Sequence, residues 1–279
     1  MNRAVRSWPL AAVAALAVLV VVVALVVTAR GRAATGSAAA AKPTIVLVHG
    51  AWANTASWSG VIARLQAKGY TVDAPPNPLL SLKGDAATIA DFLRTIKGPI
   101  VLVGHSYGGA VITNAATGNP NVKALVFVDA FAPATGETAL GLDSTKPGSA
   151  LGAGPTKVFN FVPYPGGPKG DALLYVKPAV FEQAFANGLP VREGAVLAAT
   201  QAPAAYSALT APSGAPAWRT IPSWYLLGTI DRAIPPAIEL FMAQRMHAHI
   251  TRVHAGHLSM IADPVAVAGA ITAAARATG

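Results

Sequence analysis

A serine hydroxyl attacks an acyl carbonyl effectively only when an imidazole takes its proton and an acid steadies the imidazole. The chain offers a serine for that task at Ser106, within Gly104-His105-Ser106-Tyr107-Gly108-Gly109. An apolar run, Pro99 to Val103, precedes it and a helical pattern follows. That is the strand–turn–helix context of a G-x-S-x-G nucleophile elbow. So tight a turn forces Ser106 into a strained backbone conformation, and side chains two positions away would collide. Gly104 and Gly108 remove those side chains, and Gly109 lets the helix lie close to the strand. The serine oxygen is then expected above the sheet edge, at the positive end of the following helix.

Reacting groups of parallel α/β sheets gather beyond the carboxyl ends of strands, so the partners of Ser106 are sought there. Asp231 lies three residues past an apolar strand, in Gly228-Thr229-Ile230-Asp231-Arg232. His257 lies just past the last strand, in His254-Ala255-Gly256-His257-Leu258. His257 is expected as the base and Asp231 as its orienting acid. Asp129, which also ends a strand, is the alternative acid. His254 is the alternative base, though its place at a strand end points to packing. His105 should pack inside the elbow, His247 and His249 should be exposed or pair with a helix end, and Glu239 should lie on a helix surface. A tetrahedral intermediate also needs fixed donors. The Tyr107 N–H is one, and the loop His49-Gly50-Ala51-Trp52 supplies the other, with Gly50 keeping the site open and the Ala51 N–H donating. Trp52 either lines the pocket or packs.

The elements that must carry these residues alternate strand and helix from Pro43 onward. Strands are expected at Thr44–Val48, Tyr70–Ala74, Pro99–Val103, Val122–Val128, Ser223–Gly228 and Ile250–Val253. Helices are expected at Ser57–Lys68, Asp85–Lys97, Tyr107–Thr117 and Pro235–His247, with a last one capped by Asp263-Pro264. Strands that are apolar at every position, separated by helices, imply a parallel sheet of about six strands covered on both faces. Between about residues 133 and 218 the rhythm breaks. Proline and glycine are frequent, no strand is evident, residues 141–170 read as loop, and two short helical patterns follow near Pro178–Asn187 and Val191–Gln201. This segment is expected to be a cap inserted over the site. Its aromatic residues Phe159, Phe161, Tyr164, Phe181, Phe185 and Tyr206 are candidates for pocket lining or cap packing.

Composition narrows the classes further. Of 279 residues, 53% are hydrophobic, enough for a sizeable core, and none is cysteine, which excludes disulfides, thiolate zinc sites and a cysteine nucleophile. The formal charge is +9, but four arginines lie in the first 32 residues and the other charges are scattered, so no nucleic-acid footprint is read. No metal or organic cofactor is implied. Between Arg6 and Arg30 no residue is charged. Residues 7–29 would form a helix of about 34 Å against a hydrocarbon core of about 30 Å. This predicts either a signal peptide, cleaved near Ala38-x-Ala40, or an uncleaved membrane anchor, and in both cases an enzyme exported from the cytoplasm. Residues 1–41 are thus expected to be leader and tether, and 42–279 the folded domain.

The segments Val48-His49-Gly50-Ala51-Trp52, Gly104-His105-Ser106-Tyr107-Gly108-Gly109, Gly228-Thr229-Ile230-Asp231-Arg232-Ala233-Ile234-Pro235 and Gly256-His257-Leu258-Ser259-Met260 together resemble the α/β-hydrolase superfamily. More narrowly, they are similar to the small carboxylesterases grouped with plant methylesterases and hydroxynitrile lyases. The resemblance covers about residues 43–279 and is weakest in the cap. It implies an α/β-hydrolase fold, Ser106, His257 and Asp231 as a triad, and Ala51 and Tyr107 as oxyanion donors. In the lyase branch a threonine stands at the place of Gly50, and a lysine follows the histidine where this chain has Leu258. Leucine cannot stabilise departing cyanide, so the resemblance implies hydrolysis of carboxylic esters, and the aromatic residues of the cap point to a small apolar ester. A lyase, a cofactor-free haloperoxidase or perhydrolase, and a non-catalytic ligand-binding receptor are the alternatives.

Overall fold

Runs of β-branched and other apolar residues build the centre of the protein, here a computed structural model that describes residues 42–278. In β1 (Thr44–Val48) the last four residues are buried, in β3 (Ile100–His105) all six are, and in β4 (Val122–Val128) all but Lys123. Strand β2 is short (Val72–Asp73). Two elements far along the chain, β8 (Ser223–Gly228) and β9 (His249–Val253), complete a six-stranded parallel sheet in the order β2-β1-β3-β4-β8-β9. Burial on both faces is why β1, β3, β4 and β8 read as largely apolar runs, whereas the edge strands β2 and β9 are partly or mostly exposed.

The chain leaves β1 toward β2, then turns back to β3. With right-handed crossovers this reversal puts the connecting helices Ser59–Ala67 and Leu82–Arg94 on opposite faces. The C-terminal helix Pro264–Thr278 packs beside the first of these, and Tyr107–Ala115 beside the second. The Asp263 carboxylate accepts the Ala266 N–H at 2.9 Å, as an N-cap should. The helix expected from Asp85 begins three residues sooner, because the Ser81 hydroxyl caps it through the Gly84 N–H.

Between β4 and β8 the chain forms the cap, and here one expectation is corrected. The segment does contain strands. Phe159–Val162 (β5), Leu173–Val176 (β6) and Ala204–Ala205 (β7) make a small antiparallel sheet. Short helices at Ala139–Asp143 and Pro155–Val158 also break up the supposed loop of 141–170. These elements are too short to show a period, and only Phe159 of β5 is buried. The helical patterns near residues 178–187 and 191–201 are present as Pro178–Val180 running into a π-turn, Phe181–Phe185, and as Val191–Ala199.

The expected exported location, whether secreted or anchored, and the membrane as partner are also corrected. Among the described residues no helix is long and apolar enough to cross a membrane. The longest, Pro264–Thr278, has 15 residues, which span about 22 Å of the roughly 30 Å required. The apolar stretch 7–29 and the Ala38-x-Ala40 point lie outside the described residues, and neither location is carried further.

Candidate active site

Strand β3 ends in a backbone conformation that few serines adopt. Ser106 has φ +53° and ψ −125°, between the strand and the helix Tyr107–Ala115. The glycines around it are there for space. A Cβ on Gly104 would lie 2.6 Å from the Gly108 carbonyl oxygen, and one on Gly108 would lie 2.5 Å from that of Val48. The strain is held by hydrogen bonds. Phe131 and Gly109 donate to the Ser106 carbonyl at 3.1 and 2.9 Å.

The loops after β8 and β9 bring the two partners to this hydroxyl. His257 Nε2 is 2.9 Å from Ser106 Oγ, and His257 Nδ1 is 2.7 Å from Asp231 Oδ2. All three side chains are buried. The other oxygen of Asp231 accepts the Ala233 and Ile234 N–H groups at 2.7 and 3.0 Å. Burial lowers the His257 pKa from its ordinary value of 6.5, so the ring is held as a neutral base. With Nδ1–H donated to Asp231, the lone pair on Nε2 faces the serine. Phe185 of the cap sets its ring edge-on to the imidazole, with centroids 4.6 Å apart.

Gly50 presses against this centre. A Cβ there would lie 2.6 Å from Ser106 Cβ and 3.1 Å from the Tyr107 nitrogen. Among the described residues, neither the Ala51 nor the Tyr107 amide donates to a protein acceptor. The orientation of the Gly50–Ala51 peptide has a cause that the sequence does not reveal. His49 Nε2 accepts the Asn77 N–H at 3.0 Å, so Nδ1 carries the hydrogen and donates it to the Gly50 carbonyl, also at 3.0 Å. Asn77 returns its side-chain amide to the His49 carbonyl. In a trans peptide the N–H opposes the C=O, so the His49–Asn77 brace turns the Ala51 N–H the other way. The faint signal was Asn77 itself, a lone polar residue in Pro75-Pro76-Asn77-Pro78.

The alternatives find other employment. Asp129 accepts the Gly228 N–H at 2.8 Å and both the N–H and hydroxyl of Ser259, tying β8 to the turn after His257. His105 is buried as expected, and its Nε2 donates to the His257 carbonyl at 2.9 Å. Trp52 packs between Phe159 and Phe185 and donates its indole N–H to the Leu174 carbonyl. Two expectations are overturned. His254 is exposed, near Thr229, and not in packing. Glu239 is fully buried, because the apolar face of the helix Pro236–Arg245 is broad enough to take in the position after Ile238. Its carboxylate lies with those of Asp129 and Asp231, one oxygen from each within 4.8 Å of the others. This is the one such acidic group with metal-ligand spacing among the described residues, but Asp129 and Asp231 already spend their oxygens on protein donors.

A parallel six-stranded sheet, a strained serine at the end of β3 and an acid and histidine after the last two strands define an α/β-hydrolase. Residues 45–270 match the family model described as "Alpha/beta hydrolase family", and the chain belongs to that family. It is 34% identical over 110 residues to the carbendazim hydrolyzing esterase of Nocardioides sp. (strain SG-4G), a match covering 35% of this chain and 46% of that enzyme. The match thus takes in less than half of that relative's length. Over 245 residues it is 27% identical to the alpha/beta hydrolase nvfD of Aspergillus novofumigatus, covering 80% of this chain and 92% of the relative. The fold is similar to that of a pyrethroid hydrolase from Sphingobium faniae JZ-2, with a TM-score of 0.64 and 23% identity over 84% of this chain and 98% of the other.

Proposed function

We propose that residues 42–279 form a serine carboxylesterase domain, with residues 133–218 as its cap, acting on small esters of largely apolar character. The observation that carries this reading is the hydrogen-bonded chain from Ser106 through His257 to Asp231, at 2.9 and 2.7 Å. Ser106 Oγ attacks the ester carbonyl as His257 Nε2 takes its proton. Asp231 keeps the imidazole in the Nδ1–H tautomer and stabilises the charge the ring gains. The Ala51 and Tyr107 N–H groups receive the oxyanion. His257 then protonates the departing alcohol, and water activated by the same nitrogen releases the acid from the acyl-enzyme.

Hydrolysis is favoured over cyanohydrin cleavage by Leu258, a buried apolar side chain where a lyase needs a cation. The relatives named for the hydrolysis of carbendazim and of pyrethroids support the same reaction type. The test is a series of 4-nitrophenyl esters of increasing acyl length. Wild-type protein should turn over the short members, and Ser106→Ala, with an unchanged circular dichroism spectrum, should lose turnover. Ester hydrolysis retained in that variant would sink the assignment.

A further inference from the structure

Trp52 holds a backbone conformation that bulky side chains avoid. Its φ is +59°, in the left-handed region where a Cβ crowds the following carbonyl oxygen. The residue before it, Ala51, supplies one of the two oxyanion donors proposed above. Backbone strain of this kind persists only where the surroundings over-determine it, and here the surroundings belong to the cap. The Trp52 backbone N–H donates to the Ala202 carbonyl at 2.8 Å, and its indole N–H donates to the Leu174 carbonyl at 2.7 Å. Two residues on, the Asn54 side-chain amide donates to the Thr200 carbonyl at 3.2 Å. In each of these bonds the loop after β1 gives the donor and the cap gives the acceptor. The Trp52 ring stacks on Phe159 with centroids 5.3 Å apart and meets Phe185 edge-on at 5.2 Å, and the residue is only 5% exposed.

The acceptors are themselves fixed. Leu174 lies in β6, the middle strand of the small cap sheet, paired with Phe161 of β5 and Ala204 of β7. Gln201 sits between the other two acceptors, Thr200 and Ala202. Its side chain accepts the Val176 N–H at 2.8 Å and donates to the Val176 carbonyl at 3.1 Å, as a neighbouring strand would, and so ties that segment to β6. On the core side the His49–Asn77 brace sets the Gly50 carbonyl. On the cap side the bonds of Trp52 fix the residue that follows Ala51. The Gly50–Ala51 peptide, whose N–H is the proposed donor, is therefore held from both ends.

We infer that Trp52 is a positioning residue for the Ala51 donor, and that the cap aims the oxyanion pocket through the Leu174 and Ala202 carbonyls. The inference rests on the esterase reading for its chemistry, and its test separates the two. Trp52→Phe keeps a ring between Phe159 and Phe185 and removes the indole N–H. With 4-nitrophenyl acetate this variant should lose about tenfold or more in kcat, part of the roughly 10²-fold effect of losing an oxyanion donor outright, while KM stays within about twofold. Phenylboronic acid reports on the same pocket without turnover. Ser106 Oγ adds to boron as its proton passes to His257, and the tetrahedral adduct sets an oxygen against the donors. Its affinity should fall in step with kcat. A residue that only supports the fold would lower the unfolding temperature and leave both readouts near the wild-type values. Should Trp52→Phe fail to fold, Gln201→Leu loosens the Ala202 segment from outside the loop and should cost about threefold or more in both readouts, as a misaimed group does. Hydrogen exchange of the residue-52 backbone N–H, followed by NMR, needs no activity. It should be about tenfold faster or more in the variant, since the turn opens more often. Faster exchange, with a wild-type protein that neither hydrolyses the ester nor binds the boronate, would remove the esterase reading alone and leave the cap's hold on the turn standing. Unchanged exchange overturns the inference. So does an active enzyme whose variant keeps kcat and boronate affinity within about twofold of wild type.

Discussion

Gly50 has no room for even one more carbon. A Cβ there would meet Ser106 Cβ at 2.6 Å and the His105 carbonyl oxygen at 2.7 Å, so a methyl group must push the Ala51 loop away from the serine. Gly50→Ala should lower kcat by about 10²-fold, the usual effect of losing one oxyanion donor, while KM for a short ester changes little. A KM defect with intact kcat would mean that this loop serves binding alone. The pH profile tests the base in the same way. Because burial lowers the His257 pKa below 6.5, the acid limb of kcat/KM should have its midpoint below that value. A limb centred above 7 would place a different group in the role. At this scale the sequence was readable wherever chemistry demands a rare pattern. A serine framed by glycines after an apolar strand, and an aspartate and a histidine after later strands, have few other uses. The His49–Asn77 brace was not readable, because it depends on a loop 28 residues away returning to a peptide carbonyl. Glu239 was misread for a related reason, since helical spacing gives a direction but not how much of that face is covered.

Strand ends do the gathering at the next scale. The end of β4, the loop after β8 and the helix Pro236–Arg245 bring Asp129, Asp231 and Glu239 together without exposure to water. Asp129 and Asp231 have backbone donors to hold a negative charge, whereas both Glu239 oxygens lack any partner among the described residues. Burial, with the charges of Asp231 and Asp129 adding to it, raises the Glu239 pKa well above 4.5. A carboxyl whose pKa rises on folding keeps its proton in the folded state after the unfolded chain has lost it. Stability therefore falls as pH climbs from about 4.5 to the folded value. Glu239→Gln removes that penalty and leaves an amide that can donate to its neighbours. The variant and the wild-type protein should unfold at similar temperatures near pH 4.5, and the variant should become the more stable by pH 8. A gap that does not change with pH would show that Glu239 is not the group that keeps a proton. Elements buried on both faces were legible because every position had to be apolar. The cap sheet was hidden because β7 has two residues and β5 one buried side chain, too little for any period to emerge.

For the molecule as a whole, the question is which part of the chain suffices for the chemistry. The unit from Lys42 onward contains every strand of the central sheet and every residue placed around Ser106. Its first strand is an interior one. β1 pairs with β2 on one side and β3 on the other. The start of the unit is also tied down from within, since the Lys42 ammonium donates to the Lys68 carbonyl at 2.6 Å and lies over the Tyr70 ring. The sequence reading expects the folded domain to begin at Lys42, where an Ala- and Gly-rich stretch gives way to an apolar strand. A chain beginning at Lys42 should unfold cooperatively, with a midpoint within a few degrees of the full-length protein. It should also hydrolyse a short 4-nitrophenyl ester with kcat/KM within about twofold, since surface changes remote from a site cost little. Loss of kcat with an intact unfolding transition would show that the N-terminal residues reach the reaction centre. Loss of the transition itself would show that the domain boundary at Lys42 is misplaced.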